Sequence, residues 1–187
     1  KQALVNYKKS LEINPDYAEG HNNLGIAFYK LGKFTESIDS YLRAIKIKPN
    51  FSKAHNNLGL AYKELGKFTE SINSYHQAIK INPEYAEAYN NLGNVQQEWK
   101  QFKRAIESYS RAVALKPNYG EAYSNLGAAL QGNGDFSGAA EAHRCALGVS
   151  GDQPKLHFHY GVFCRDQGEI EAAMQAYKSA IGLNHDF

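Results

Sequence analysis

The sequence predicts an all-α chain of repeated helix-turn-helix units, and three observations lead there. Asn-Leu-Gly occurs at Asn23-Leu24-Gly25, Asn57-Leu58-Gly59, Asn91-Leu92-Gly93 and Asn125-Leu126-Gly127, stepping by 34 residues each time. Prolines close successive blocks at the same interval, at Pro15, Pro49, Pro83 and Pro117. Between these marks the apolar residues fall at helical rather than strand spacing: Ala54, Leu58, Ala61, Tyr62 and Leu65 form one amphipathic set, and Phe68, Ile72, Tyr75 and Ile79 form a second. A fixed period of this length marks a repeat architecture.

The block from His55 to Pro83 shows how one unit is built. Gly66 lies between the two apolar patterns, where a left-handed residue ends the first helix, and Pro83 disfavours helix at Asn82 and ends the second. Gly59, Ser71 and Ala78 are small and are placed to let the two backbones approach closely, while Leu58, Tyr62, Phe68 and Tyr75 fill the space beside them. One hairpin leaves an apolar face over, so each unit needs a neighbour.

The residue order Leu58, Gly59, Ala61, Tyr62, Phe68, Tyr75, Ala78, Pro83 resembles the tetratricopeptide repeat, and the match returns in register five times across essentially the whole chain. The family's usual tryptophan near the start of the unit is replaced by His21, His55, Tyr89, Tyr123 and His157. The resemblance implies an all-α, right-handed superhelical solenoid of helix-turn-helix repeats, here one continuous array over residues 1–187.

Taken in order, residues 1–17 read as the second helix of a truncated repeat, with Ala3, Leu4, Tyr7, Leu11 and Ile13 in the places of Ser71, Ile72, Tyr75, Ile79 and Ile81. A helix with an unpartnered face at the start implies that sequence precedes Lys1. Five full repeats follow, at 18–51, 52–85, 86–119, 120–153 and 154–187. The first two share HNNLG and LGKFTESI and are almost copies. The third has Trp99-Lys100 in place of Leu-Gly, which predicts an adjusted helix end. The fourth carries Gly132, Gly134, Gly138, Gly148 and Gly151 and is expected to be the loosest, with Asp135 as the N-cap of its second helix. The fifth opens on Pro154, suited to a first helical turn, and then departs from the motif with His157, Phe158, His159 and Tyr160.

Nothing in the chain carries a pattern for chemistry. The net charge of +2 makes no case for nucleic acid as the main partner, and no apolar run is long enough to cross a membrane. Up to Lys116 seventeen Lys and Arg face eleven acids, and beyond it four face eight, so the two halves differ in sign. Cys145 and Cys164 lack CxxC spacing and read as packing residues, favouring a reducing intracellular compartment such as the cytoplasm. His157 and His159 are two apart on a helix and suit shared metal coordination poorly. Gly132-Asn133-Gly134 follows a helix, not a strand, and reads as a turn. No serine or cysteine stands in a nucleophile motif. No metal, cofactor or catalytic residue is assigned, and the segment reads as a non-enzyme.

What remains is a surface. In the tetratricopeptide architecture the first helix of each repeat lines the concave face, which implies a groove lined by Asn22, Asn23, Tyr29, Lys53, Asn56, Asn57 and Lys63, then Asn90, Asn91, Asn94 and Asn125, and finally Lys155, Phe158 and His159. Side-chain amides both donate and accept, so Asn23, Asn57, Asn91 and Asn125 can pair with the main chain of an extended peptide regardless of its sequence; bonding to the neighbouring repeat is the other role open to them. The function implied is a protein-protein interaction module, a scaffold or adaptor that holds an extended segment of a partner protein. The asparagine row is also similar to that of the O-linked N-acetylglucosamine transferase-like family, which implies as an alternative the substrate-recognition array of a larger enzyme. A carboxylate clamp of the co-chaperone kind is a third reading, with Asn94, Asn125 and Lys155 in place, but Asn90 and His159 where cations are expected. Both ends of the array should expose apolar faces and favour end-to-end self-association.

Overall fold

The computed structural model describes residues 2–183; the side chains of residues 1–6 and 8 also lie outside the description, and with them the expected packing of Ala3 and Leu4 and the end of the fifth repeat. Among the described residues there are eleven helices and no strand: α1 (Gln2–Ile13), α2 (Ala18–Tyr29), α3 (Phe34–Ile47), α4 (Ser52–Glu64), α5 (Phe68–Ile81), α6 (Ala86–Glu98), α7 (Phe102–Leu115), α8 (Gly120–Gly132), α9 (Phe136–Ser150), α10 (Pro154–Asp166) and α11 (Ile170–Leu183). The even-numbered helices from α2 to α10 start at 18, 52, 86, 120 and 154, one every 34 residues. The chain gathers into two compact units, Lys1–Val95 and Gln96–Phe187.

In the first unit, α2 packs on α3 and α4 on α5, and α3 in turn meets α4. The close crossing inside each hairpin depends on glycine. A Cβ on Gly25 would lie 2.5 Å from Tyr41 Cε1, and one on Gly59 would lie 2.7 Å from Tyr75 Cε1. The freed space lets Ser37 Oγ donate to Gly25 O at 2.9 Å and Ser71 Oγ donate to Gly59 O at 2.7 Å. Tyr41 and Tyr75 are thereby buried. Tyr41 with Ile38, Leu58 and Ala61 forms one core cluster, and Tyr75 with Leu92 and Val95 forms the next.

The second unit repeats the plan with changes. Tyr109, Ala105 and Ala129 form one cluster; Ala139, Phe163, Cys164 and Ala173 form another. Gly161 meets the Tyr177 ring as Gly59 meets Tyr75, but in the fourth repeat the tyrosine is replaced by His143, whose Nε2 would lie 2.8 Å from a Cβ on Gly127. Asp135 caps α9, its Oδ1 accepting from Gly138 N at 2.8 Å, and Pro154 stands in the first turn of α10. Both cysteines are free thiols.

The turn inside each hairpin is the same throughout. Lys33 N donates to Phe28 O, Lys67 N to Tyr62 O, Gln101 N to Gln96 O, Asp135 N to Leu130 O and Glu169 N to Cys164 O, at 2.7–3.0 Å. These six-to-one bonds close a Schellman motif, which needs one left-handed residue. That residue is Gly32, Gly66, Gly134 or Gly168, with φ between 69° and 86°, and in the third repeat it is Lys100 with φ 57°. The helix end expected to shift at Trp99-Lys100 does not shift. The bonding pattern holds and the lysine takes the left-handed conformation instead.

The glycines of the fourth repeat divide by cause. A Cβ on Gly132 would lie 2.5 Å from Phe102 Cε1, and one on Gly138 would lie 2.5 Å from the capping Asp135 carboxylate, so a side chain at either position would have to displace that neighbour. Gly148 has open space around it inside α9 and carries only the helix-propensity penalty, about 1 kcal/mol.

Candidate functional site

The first helices of the repeats carry every residue expected to face a ligand, and the structure separates them into two classes. Asn22, Asn56 and Asn90 are 6%, 5% and 2% exposed. The groove position expected for them is therefore corrected: they are closed off from solvent between elements. Asn23, Asn57, Asn91 and Asn125 are half-buried, as are Tyr29, Lys63, Asn94 and His159, while Lys53, Lys155 and Phe158 are exposed.

For Asn22 and Asn56 the cause is a hydrogen-bond relay between first helices. In the first unit Asn57 Nδ2 donates to Asn22 Oδ1 and Asn91 Nδ2 donates to Asn56 Oδ1, each at 3.0 Å, and Asn56 Nδ2 lies 3.5 Å from Asn57 Oδ1. The second Asn of one repeat thus satisfies the first Asn of the repeat before it. In the second unit the corresponding link joins Ser124 Oγ and His159 Nδ1 at 2.9 Å. The shorter serine is met by the longer imidazole. An amide offers two donors and two acceptor lone pairs, so Asn57 and Asn91 retain bonding capacity after serving this relay.

Two polar pairs around the relay, Tyr29 with Glu64 and Gln131 with Asp166, follow the same offset of 35 residues. Tyr29 OH donates to Glu64 Oε1 at 3.0 Å, and burial followed by that bond pushes the phenol up to about 12, so it stays a neutral donor at ordinary pH. Gln131 Nε2 donates to Asp166 Oδ2 at 3.3 Å. Lys48 pairs with Glu19 at 2.8 Å and Lys155 with Glu121 at 3.8 Å, both on the surface. Burial first, then the nearby Lys155 charge, holds His159 below the usual histidine range. Phe158, 52% exposed, has its ring centroid 5.9 Å from that of Tyr177. Glu64 and Asp166 were missed as partners by sequence reasoning; the readable signal is that complementary side chains stand 35 residues apart.

No group of His, Cys, Asp and Glu among the described residues could hold a metal ion, and no described helix is long and apolar enough to cross a membrane. His21, His55 and His157 are occupied elsewhere: each Nε2 lies 2.8–3.0 Å from a backbone oxygen six residues back, at Pro15, Pro49 and Gly151.

Family models for the TPR repeat match residues 1–32, 27–66 and 59–98, and models for the tetratricopeptide repeat match residues 86–119 and 124–184. The chain belongs to the tetratricopeptide repeat family. Among solved structures it is similar to MamA, at 25% identity and a TM-score of 0.72, covering 86% of this chain and 94% of MamA. It is similar in fold to YrrB, a TPR protein with an unusual peptide-binding site, at 20% identity and a TM-score of 0.70, covering 96% of this chain and 93% of that one. PilF of Pseudomonas aeruginosa aligns at 19% identity with a TM-score of 0.80, covering 91% of this chain and 78% of PilF. No curated protein matches the chain. The tetratricopeptide repeats and these neighbours give it the architecture of a protein-interaction scaffold.

Proposed function

We propose that this tetratricopeptide scaffold holds an extended segment of a partner protein along its first helices, with Asn23, Asn57, Asn91 and Asn125 gripping the peptide main chain. One observation carries the reading: these asparagines are half-exposed in identical register, and at Asn57 and Asn91 the relay occupies only part of the amide's capacity. The Asn57 and Asn91 amides are thereby held in fixed orientation before a ligand arrives, which lowers the ordering cost of binding. Lys53 and Lys63 flank the row with positive charge and suit a segment with acidic side chains. That YrrB carries a peptide-binding site on a similar fold is consistent with this use. The clamp reading gains nothing, since Asn90, at the place of an expected cation, is buried.

The test begins by placing a photo-crosslinking residue at exposed Lys53 on α4, or at exposed Asn73 on α5 as a control, and identifying what is captured. The Asn23, Asn57, Asn91 and Asn125 to Ala variant is then measured against the captured partner. A net hydrogen bond contributes about 0.5–1.5 kcal/mol, so binding should weaken by about 2–6 kcal/mol in the folded variant. Unchanged affinity, or capture from Asn73 alone, defeats the proposal.

A further inference from the structure

The turn between α6 and α7, in the second unit, carries a feature that the asparagine row does not use. An open cleft of about 470 Å³ is lined there by Lys100, Gln101, Phe102, Lys103, Arg104 and Asn133. Its volume falls in the range of ligand sites, about 300–1,000 Å³. No acid lines it. Lys100, Lys103 and Arg104 are all exposed, and none of them makes an ion pair among the described residues. Arg104 Nη1 donates to Gln101 Oε1 at 3.1 Å, which steadies the guanidinium, and half-buried Phe102 supplies an apolar wall.

Packing does not call for this charge. Residues 100–104 read Lys-Gln-Phe-Lys-Arg, while the same five positions of the first two repeats both read Gly-Lys-Phe-Thr-Glu, so a set with one lysine and one glutamate has become three cations and no acid. The core positions are kept meanwhile: Phe102, Ile106 and Tyr109 stand in register with Phe68, Ile72 and Tyr75. The new cations also run against local preference. Lys100 takes a left-handed conformation, φ 57°, that the glycines it replaces adopt without a Cβ clash. Lys103 and Arg104 lie in the first turn of α7, which holds no acid, whereas α3 and α5 place Glu36 and Glu70 there. The helix dipole disfavours positive charge at that end, and three like charges around one cleft repel one another. Local costs of this kind collect at functional sites. An anion in the cleft offsets both the repulsion and the dipole cost.

We propose that this cleft docks a phosphorylated side chain on a segment of a partner protein. A phosphate monoester brings a charge of about −1.5 to −2 and three strong acceptor oxygens. That serves three cations at once, with Arg104 offering its planar fork and Lys100 and Lys103 acting as point charges. A carboxylate has one charge and two oxygens and leaves a cation unmet. A nucleic acid asks for cations at successive phosphates, but the same stretch of the next two repeats holds Asp135 and then Glu169 and Glu171. The charge is confined to one turn, which suits one anionic group rather than a polyanion. The cleft draws on that turn and the start of α7, while the asparagine row lies on the first helices, so the two sites are separate.

The probe is a fluorescently labelled peptide of glycine and alanine carrying one phosphothreonine, titrated with the whole chain at low ionic strength and read by anisotropy. Binding is expected, and the same peptide with threonine or glutamate in that place should bind at least about tenfold more weakly. The Lys100→Gly, Lys103→Thr, Arg104→Glu triple variant should lose as much; it restores the residues that the second repeat carries, and unchanged circular dichroism confirms that it folds. A Lys46→Glu, Lys80→Glu variant changes the net charge by the same amount at two exposed positions elsewhere and should stay within about threefold of the parent, which separates docking in the cleft from general attraction. The Asn23, Asn57, Asn91 and Asn125 to Ala variant should bind the probe within about twofold of the parent, so failure of the groove reading and failure of this one give different results. The inference is overturned by absence of binding, by a triple variant that binds like the parent, by a charge control that loses as much as the triple variant, by a threonine or glutamate peptide of equal affinity, or by tighter binding of a single-stranded oligonucleotide or a phosphatidylserine vesicle.

Discussion

Replacing Lys100 with glycine should stabilise the protein even though it removes a side chain and adds no contact. Lys100 is the one non-glycine residue with positive φ among the described residues, at 57°, and it occupies a turn position where the other repeats have glycine. A residue with a Cβ loses about 1–2 kcal/mol in this conformation. Glycine gives back about 0.5–1 kcal/mol through its freer unfolded chain, leaving a net gain of about 0.5–1 kcal/mol. Lys100 makes no ion pair among the described residues, so nothing offsets the gain. Repeat arrays unfold in segments, so a global midpoint, expected to rise by about 1–4 °C, is the coarser readout. The sharper one is hydrogen exchange at the Gln101 amide, which bonds Gln96 O across the turn at 2.7 Å and should be protected about two- to fivefold more strongly. The mirror change, Gly66→Lys, should cost a similar amount. A Lys100→Gly variant less stable than the parent would refute the argument.

Acid should loosen the fourth repeat through His143, 3% exposed and pushed down to about 4, first by burial and second by the neighbouring His159. The folded value lies below the unfolded one, so stability is complete above about pH 6.5 and lost as pH falls towards about 4, by about 2 kcal/mol near pH 5; His143→Tyr, restoring the residue of the other repeats, should flatten the pH dependence of urea unfolding, and an unchanged slope would count against it. The C-terminal end should self-associate, because Phe158 and Ile181 are 52% and 70% exposed beside a cleft of about 890 Å³ lined also by Tyr177 and Ala180. Sedimentation from micromolar to millimolar should show a rising average mass that Phe158→Asp and Ile181→Asp abolish, and a constant mass would contradict it.

The repeat and its hairpin were legible in the sequence because both rest on residues with few substitutes. Gly59 must be small against Tyr75, and that constraint shows as a glycine in a fixed register. What the sequence concealed was the environment of polar groups. Asn22 and Asn56 are polar and neighbour the motif, so they read as surface, yet they are buried with a partner amide that arrives from another helix 35 residues on. Polarity predicts exposure only where no partner is at hand. Lys100 concealed its turn for the opposite reason: the cost of a left-handed lysine is small beside the Schellman bonds and the packing of the hairpin it closes, so context overrode residue preference. The glycines of the fourth repeat read as loosening, and two of them also lie against neighbours, Gly132 against Phe102 and Gly138 against the capping Asp135.

The relay bears on how near-identical repeats keep their register. Apolar contacts tolerate sliding, and the first two repeats share so much sequence that a shifted docking of one helix on the next would still bury similar side chains. The amide pairs do not tolerate it. Asn57 to Asn22 and Asn91 to Asn56 each need their partner within 3.0 Å, and a displacement by one turn would strand the buried Asn22 and Asn56. A stranded buried polar group costs about 1–3 kcal/mol, while the correct pair adds only about 1 kcal/mol, so the relay acts mainly by penalising wrong registers. A surface that must present groups at fixed intervals to an extended partner depends on such a penalty, because binding across several repeats fails once one repeat slips.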